Sequence, residues 1–178
     1  ELLSGLVFLR PLGLRLLPFE DNVNGGIPIT FLNVPIEYLK DAAIKQLKDG
    51  ESVWFGNDVL KEMDRKTGYL DTELYKTDEL FDVDTYMTKA ERLATGEGEV
   101  SHAMTLVGVD LDNGEIRKWK VENSWSEKSG RKGYFTMSDK WFDEFVYEVV
   151  VRKEFLTEDQ KKLAESKPTP LPAWDSLA

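Results

Sequence analysis

Cysteine is absent from all 178 residues, and histidine occurs once. No disulfide can form, no thiolate can hold zinc, and a single imidazole leaves almost nothing for a nitrogen-ligand metal site. The chain also has no thiol nucleophile of its own. Oxygen ligands could still hold a hard cation, and the nearest candidate is Asp110-Leu-Asp112-Asn113-Gly114-Glu115. Its glycine falls fifth where a calcium loop wants it sixth, and no Glu stands in the twelfth place. A tight turn is the expected role of this segment, and no metal or cofactor is expected.

Long apolar runs are also missing. Residues 1–18 are Leu-rich, but Pro11, Gly13 and Arg15 interrupt them well before the roughly 20 residues that a spanning helix needs. No start methionine or small-residue cleavage site frames a signal peptide. A cytosolic (cytoplasmic) protein is expected, with no membrane partner and with position 1 not a natural start. Positive charge is in deficit: 23 basic against 33 acidic residues leave a net charge of −10. That opposes a phosphate backbone, so no nucleic-acid partner is expected; the Lys45 to Lys48 and Lys128 to Lys132 stretches read as solvated surface.

What the chain does have is apolar material for a core, 41% hydrophobic residues with five Trp and nine Phe. Pro35 suits a first helical turn, Ile36, Leu39, Ala43 and Leu47 share one helical face, and Gly50 follows the end. Ser52 to Gly56 reads as a short buried strand, and Asn57 to Met63 as a short helix or turn. The weakly periodic stretch Asp64 to Gly98, with one helix around Lys89 to Ala94, reads as an excursion from the main domain. His102 to Asp110 and Glu115 to Glu122 then form two strands about an Asn113-Gly114 hairpin turn. Gly133 to Met137 and Tyr147 to Val151 are further strands, separated by a Ser-started helix over Ser138 to Phe145. Thr157 to Ser166 is a polar helix, and Pro168, Pro170 and Pro172 force an extended tail. The sum is a mostly antiparallel sheet or barrel fronted by a helix.

Nucleophilic hydrolysis needs a base and a third group that fixes the ring and tautomer of that base. His102 is the one candidate imidazole, at the start of its strand. Asn123 ends the hairpin partner, and antiparallel pairing about Asn113-Gly114 brings both to one edge of the sheet. An Asn oxygen accepts a ring N–H without adding charge, and Trp125 could cover that bond from water. On spacing alone a plainer reading stands beside this one, with His102 a strand-edge residue and Asn123 a turn former. No pair of carboxylates stands at a spacing that defines an acid–base site.

Ser101-His-Ala-Met-Thr105, Val121-Glu-Asn-Ser-Trp125 and Lys132-Gly-Tyr-Phe135 resemble the bleomycin hydrolase and bacterial aminopeptidase C branch of the papain-like cysteine peptidases. So do Asn33-Val-Pro35, Ala42 to Gly50, Val53-Trp-Phe-Gly-Asn-Asp58, Met63-Asp-Arg-Lys-Thr-Gly68 and Lys89-Ala-Glu-Arg-Leu93. The resemblance covers Phe19 to Phe155 and the tail Pro172-Ala-Trp-Asp175. It implies an α+β fold, the papain-like C-terminal half: an antiparallel sheet or barrel with flanking helices.

Three segments are expected: an atypical leader over 1–18 from an altered or out-of-frame beginning, a barrel half with its excursion over 19–156, and a polar helix with an extended arm over 157–178. By the same resemblance His102 is the catalytic base and acid, Asn123 its orienting partner and Trp125 a shield. The terminal carboxylate of Ala178 would meet the free amino group of a peptide substrate. The cysteine nucleophile and the oxyanion-hole glutamine belong to an N-terminal half that would have to come from elsewhere, and a hexameric homo-oligomer is implied. Ser101, Ser124 and Ser126 stand in no G-x-S-x-G elbow that could replace the thiol. The function expected is thus the C-terminal portion of a cysteine aminopeptidase, inactive alone; the alternative is a non-catalytic peptide-binding or interaction domain of the same fold.

Overall fold

A computed structural model describes residues 2–4, 12–18 and 23–175, the first three by backbone alone. Among these residues eleven strands join in one sheet: β1 (Leu2–Ser4), β2 (Gly13–Leu16), β3 (Thr30–Asn33), β4 (Val53–Asn57), β5 (Met63–Asp64), β6 (Tyr69–Leu70), β7 (His102–Asp112), β8 (Glu115–Glu122), β9 (Tyr134–Ser138), β10 (Val146–Val150) and β11 (Thr169–Pro170). Their order is β11-β2-β3-β1-β10-β4-β7-β8-β9-β6-β5. The centre, β10 through β9, is antiparallel throughout. Parallel pairs occur only nearer the edges, as β1 with β3, β11 with β2 and β6 with β9. No helix among the described residues is long and apolar enough to cross a membrane.

Helix α1 (Ile36–Lys48) forms where the periodicity placed it, with Pro35 at its N-cap and Leu39, Ala42 and Ala43 buried. Gln46 ties its last turn to both neighbours, donating to the Ser52 carbonyl at 2.9 Å and accepting from the Arg152 N–H at 2.9 Å. The stretch after β4 is a turn running into β5, within the helix-or-turn expectation. The excursion holds two helices, α2 (Thr77–Phe81) and α3 (Lys89–Thr95), of which only α3 was legible. A reciprocal capping box between Thr88 and Glu91 starts α3, whereas α2 begins at Lys76 with positive φ and no side-chain cap.

Ser138 caps α4 (Asp139–Phe145) by accepting from the Trp141 N–H at 3.3 Å. Trp119, Trp141, Phe142, Phe55 and Phe135 pack with no more than 1% exposure in the core between the central strands, α1 and α4. The indole N–H of Trp119 donates to Asp139 at 3.1 Å, and Lys40 from α1 reaches Asp139 at 2.8 Å and Asp143 at 2.6 Å. One carboxylate therefore binds α4 to both α1 and β8. Helix α5 (Glu158–Ala164) carries a second capping box, Thr157 with Gln160. The proline-rich tail then runs extended: β11 pairs with β2, the Leu171 N–H donates to the Leu16 carbonyl at 2.9 Å, and Leu171 packs on Leu17 and Phe31.

Candidate active site

Residue pairing between β7 and β8 decides where the site falls. At the Asn113-Gly114 turn, where both residues have positive φ (52° and 91°), Asp112 faces Glu115. The register slips once where Arg117 is passed over and again where Val107 is passed over. The bulged residues lie on opposite strands, so the slips cancel, and Leu106 faces Val121 and Thr105 faces Glu122 in the register set at the turn. Asn123 is therefore diagonal to the start of β7, and its amide oxygen lies 3.1 Å from Nε2 of His102.

That oxygen can only accept, so Nε2 carries the proton in this bond and Nδ1 is left to take one. Asn123 is 7% exposed, and its N–H donates to the Gly133 carbonyl at 3.0 Å, which fixes its backbone. The Trp125 ring lies 4.9 Å from the imidazole, tilted by 31°. Its other contacts are the Phe135 edge at 6.3 Å and the Arg65 guanidinium at 4.7 Å. Sequence reading brought His102, Asn123 and Trp125 together but missed Arg65, which sits in a segment without hydrophobic period.

On the other side of β7, Asn57 pairs with His102, and Asp58 follows at 4% exposure. Burial pushes the Asp58 carboxyl up; the Glu99 backbone N–H, Lys61 and Ser101 pull it down, and the Glu99 charge adds to the rise. Glu148, Gly56 and Ala103 form a row across β10, β4 and β7, one residue along from His102. The Glu148 side chain occupies the space that a Cβ at Gly56 would need. Ala178 lies outside the described residues.

A cavity of about 1020 Å³ lies between the excursion and α4, lined by residues such as Glu62, Tyr86, Arg92 and Asp143, and its lining includes neither His102 nor Asn123. Behind it α3 presents two buried basic side chains to the end of α4. Lys89 donates to the Val146 carbonyl at 2.7 Å, and Arg92 binds the Glu144 carbonyl and carboxylate, each at 2.7 Å. Carbonyls at a helix C-terminus favour such partners.

The sheet wrapped on α1 is that of a papain-like peptidase half. The chain belongs to the Peptidase C1-like family, whose model matches residues 14–178. That match begins ahead of Phe19, where the resemblance was expected to start. It is 70% identical over 162 residues to Aminopeptidase E of Lactobacillus helveticus, covering 91% of this chain and 37% of that protein. It is 46% identical over 156 residues to Aminopeptidase C of Listeria monocytogenes, covering 88% of this chain and 35% of that protein. The crystal structure of PepW from Lactobacillus rhamnosis HN001 superposes with a TM-score of 0.96 at 49% identity, covering 99% of this chain and 41% of that one. The chain thus spans little more than a third of the length of these relatives.

Proposed function

We propose that this chain is the histidine- and asparagine-bearing C-terminal portion of a cysteine-type aminopeptidase that removes N-terminal residues from peptides. The observation that carries the reading is the 3.1 Å bond from His102 to Asn123, made in a chain related to proteins named as aminopeptidases. Nδ1 of His102 takes the proton of a cysteine thiol supplied by a segment outside these 178 residues, and the thiolate attacks the peptide carbonyl. His102 then gives that proton to the departing amine, and water, activated by the same ring, hydrolyses the thioester. Asn123 holds the ring through both steps, and Trp125 covers the bond between them.

With no cysteine in the chain, the 178 residues alone do not hydrolyse peptides. The Ala178 carboxylate recognises the substrate ammonium by a charge-assisted hydrogen bond. The test is to combine this chain with the cysteine-bearing portion of a relative and follow release from an aminoacyl amide. Activity is expected in the mixture, with none from either part and a loss of roughly 10²-fold or more after His102→Ala; undiminished activity after that substitution would remove His102 from the mechanism. The missing thiol also favours a second reading, a domain that holds peptides without cutting them. Measurable peptide affinity of the isolated chain, with no activity in the mixture, would select it.

A further inference from the structure

We propose that Asp58 is a positioning residue for His102, acting through the three residues that lead into β7. The proposal builds on the reading of His102 as the base. Asp58 sits where β4 ends, at 4% exposure, and its own N–H donates to the Phe145 carbonyl at 3.0 Å, so its backbone is pinned to the end of α4. Its Oδ1 accepts from the Ser101 hydroxyl at 3.2 Å, while Oδ2 is buried. The preceding residue completes the clasp, because the Asn57 carbonyl accepts from the Ser101 N–H at 3.1 Å.

Ser101 is itself exposed, and β7 begins only at His102. Without the Asp58 carboxylate, the backbone entering β7 is held on that side only through Ser101 to the Asn57 carbonyl, by its N–H at 3.1 Å and its hydroxyl at 3.4 Å. A carboxylate is suited to this place because it accepts the Ser101 hydroxyl proton and has none of its own to donate. Its burial has a cost, since desolvation pushes this carboxyl up, and a surface turn would need no such group. The Asp58 side chain thus fixes where the strand starts, and Asn123 fixes which way the ring then points.

His102 is the one imidazole in the chain, so its ring signals in a nuclear magnetic resonance spectrum need no sorting from others. The full 178-residue chain is compared with Asp58→Ala, Asp58→Asn and Ser101→Ala. Two signals report the ring: the Nε2 proton bonded to Asn123 and the displacement of its C–H protons by the Trp125 ring. The indole N–H protons of Trp119 and Trp141, bonded to Asp139 and the Lys61 carbonyl, report the barrel.

Asp58→Ala is expected to speed solvent exchange of the Nε2 proton about tenfold or more, as loss of a hydrogen bond's restraint implies. It should shrink the Trp125-induced displacement and leave both indole signals in place. Asp58→Asn, which keeps an acceptor for Ser101, should restore most of the ring signature. A ring signature unchanged in Asp58→Ala, with the indoles intact, overturns the proposal. If Asp58→Ala fails to fold, Ser101→Ala decides: faster Nε2 exchange supports the clasp, and unchanged exchange overturns it. Because the readout is the ring and not hydrolysis, it stands or fails separately from the peptidase reading.

Discussion

Val107 in β7 and Arg117 in β8 are each skipped by the pairing of the two strands, one on each side of the same hairpin. Each bulge alone would shift the pairing by one residue, and a one-residue slip sends every later side chain to the opposite face. Together they leave the ends of the hairpin in the register of its turn, and the His102 to Asn123 bond depends on that compensation.

Deleting Val107 alone is therefore expected to separate the pair, and deleting Arg117 as well to rejoin it. The check is the bonded Nε2 proton of His102, lost in the single deletion and recovered in the double one. A single deletion that keeps the signal would show that the bulges do not set the site.

In the enzyme reconstituted with a cysteine-bearing portion, His102→Ala should lower kcat by roughly 10²–10⁴, the usual contribution of a positioned acid–base. Asn123→Ala removes one acceptor and leaves the imidazole, so its loss should be smaller, about tenfold for one hydrogen bond. Steady-state kinetics on an aminoacyl amide would order the two variants. A larger loss for Asn123→Ala would mean that the amide does more than orient the ring.

Lys89 is buried, and burial holds its ammonium down at about 7, with Glu144 and Asp143 pulling it up and Arg92 and Lys40 pushing it further down. Between about 7 and its ordinary 10.5 the unfolded chain binds a proton that the folded chain does not. This group thus makes stability rise with pH across that window, by on the order of 5 kcal/mol, and its burial penalty is fully felt below it. Lys89→Met removes the slope, at a pH-independent cost of about 1 kcal/mol for the Val146 carbonyl left without its donor. Urea unfolding at pH 6 and pH 10 should show the variant gaining on the parent at the lower pH. Equal differences at both would contradict a lysine held neutral by burial.

Trp119 has no exposed surface, stacks on Phe142 at 4.9 Å and donates its N–H to Asp139. Trp119→Ala empties the space between β8 and α4 and leaves that carboxylate short of a donor. A loss of about 3–5 kcal/mol is expected from urea midpoints at constant slope. A loss under about 1 kcal/mol would mean that the core collapses to fill the gap.

The hairpin was readable because Asn113-Gly114 is a turn chemistry with few alternatives, and α1 because four apolar residues recur on one face before Gly50. Ser138 announces the helix that follows it, whereas the capping boxes of Thr88 and Thr157 are seen only in the fold. Both bulges escaped notice, because neither Val107 nor Arg117 differs in kind from its strand neighbours; only the partner strand reveals the extra residue. Helix α2 begins and ends on positive-φ residues, Lys76 and Asp82, so it offered no cap to read. The meeting of His102 and Asn123 was legible from the order of strand, turn and strand, while their catalytic roles rest on the family resemblance. Arg65 and Asp58 were not, since what each touches near the site comes from a distant part of the chain: Trp125 for Arg65, Ser101 for Asp58. The C-terminal arm was read as extended from its prolines, but its parallel seat against β2 needed the fold.

The row Glu148, Gly56, Ala103 gives glycine a consequence beyond packing. Having no side chain, residue 56 is a parking space for an acid beside the strand that carries the imidazole. A methyl group there would meet the Glu148 carboxylate head-on and evict it, so one carbon atom added to β4 would relocate an acidic side chain that belongs to the neighbouring strand β10.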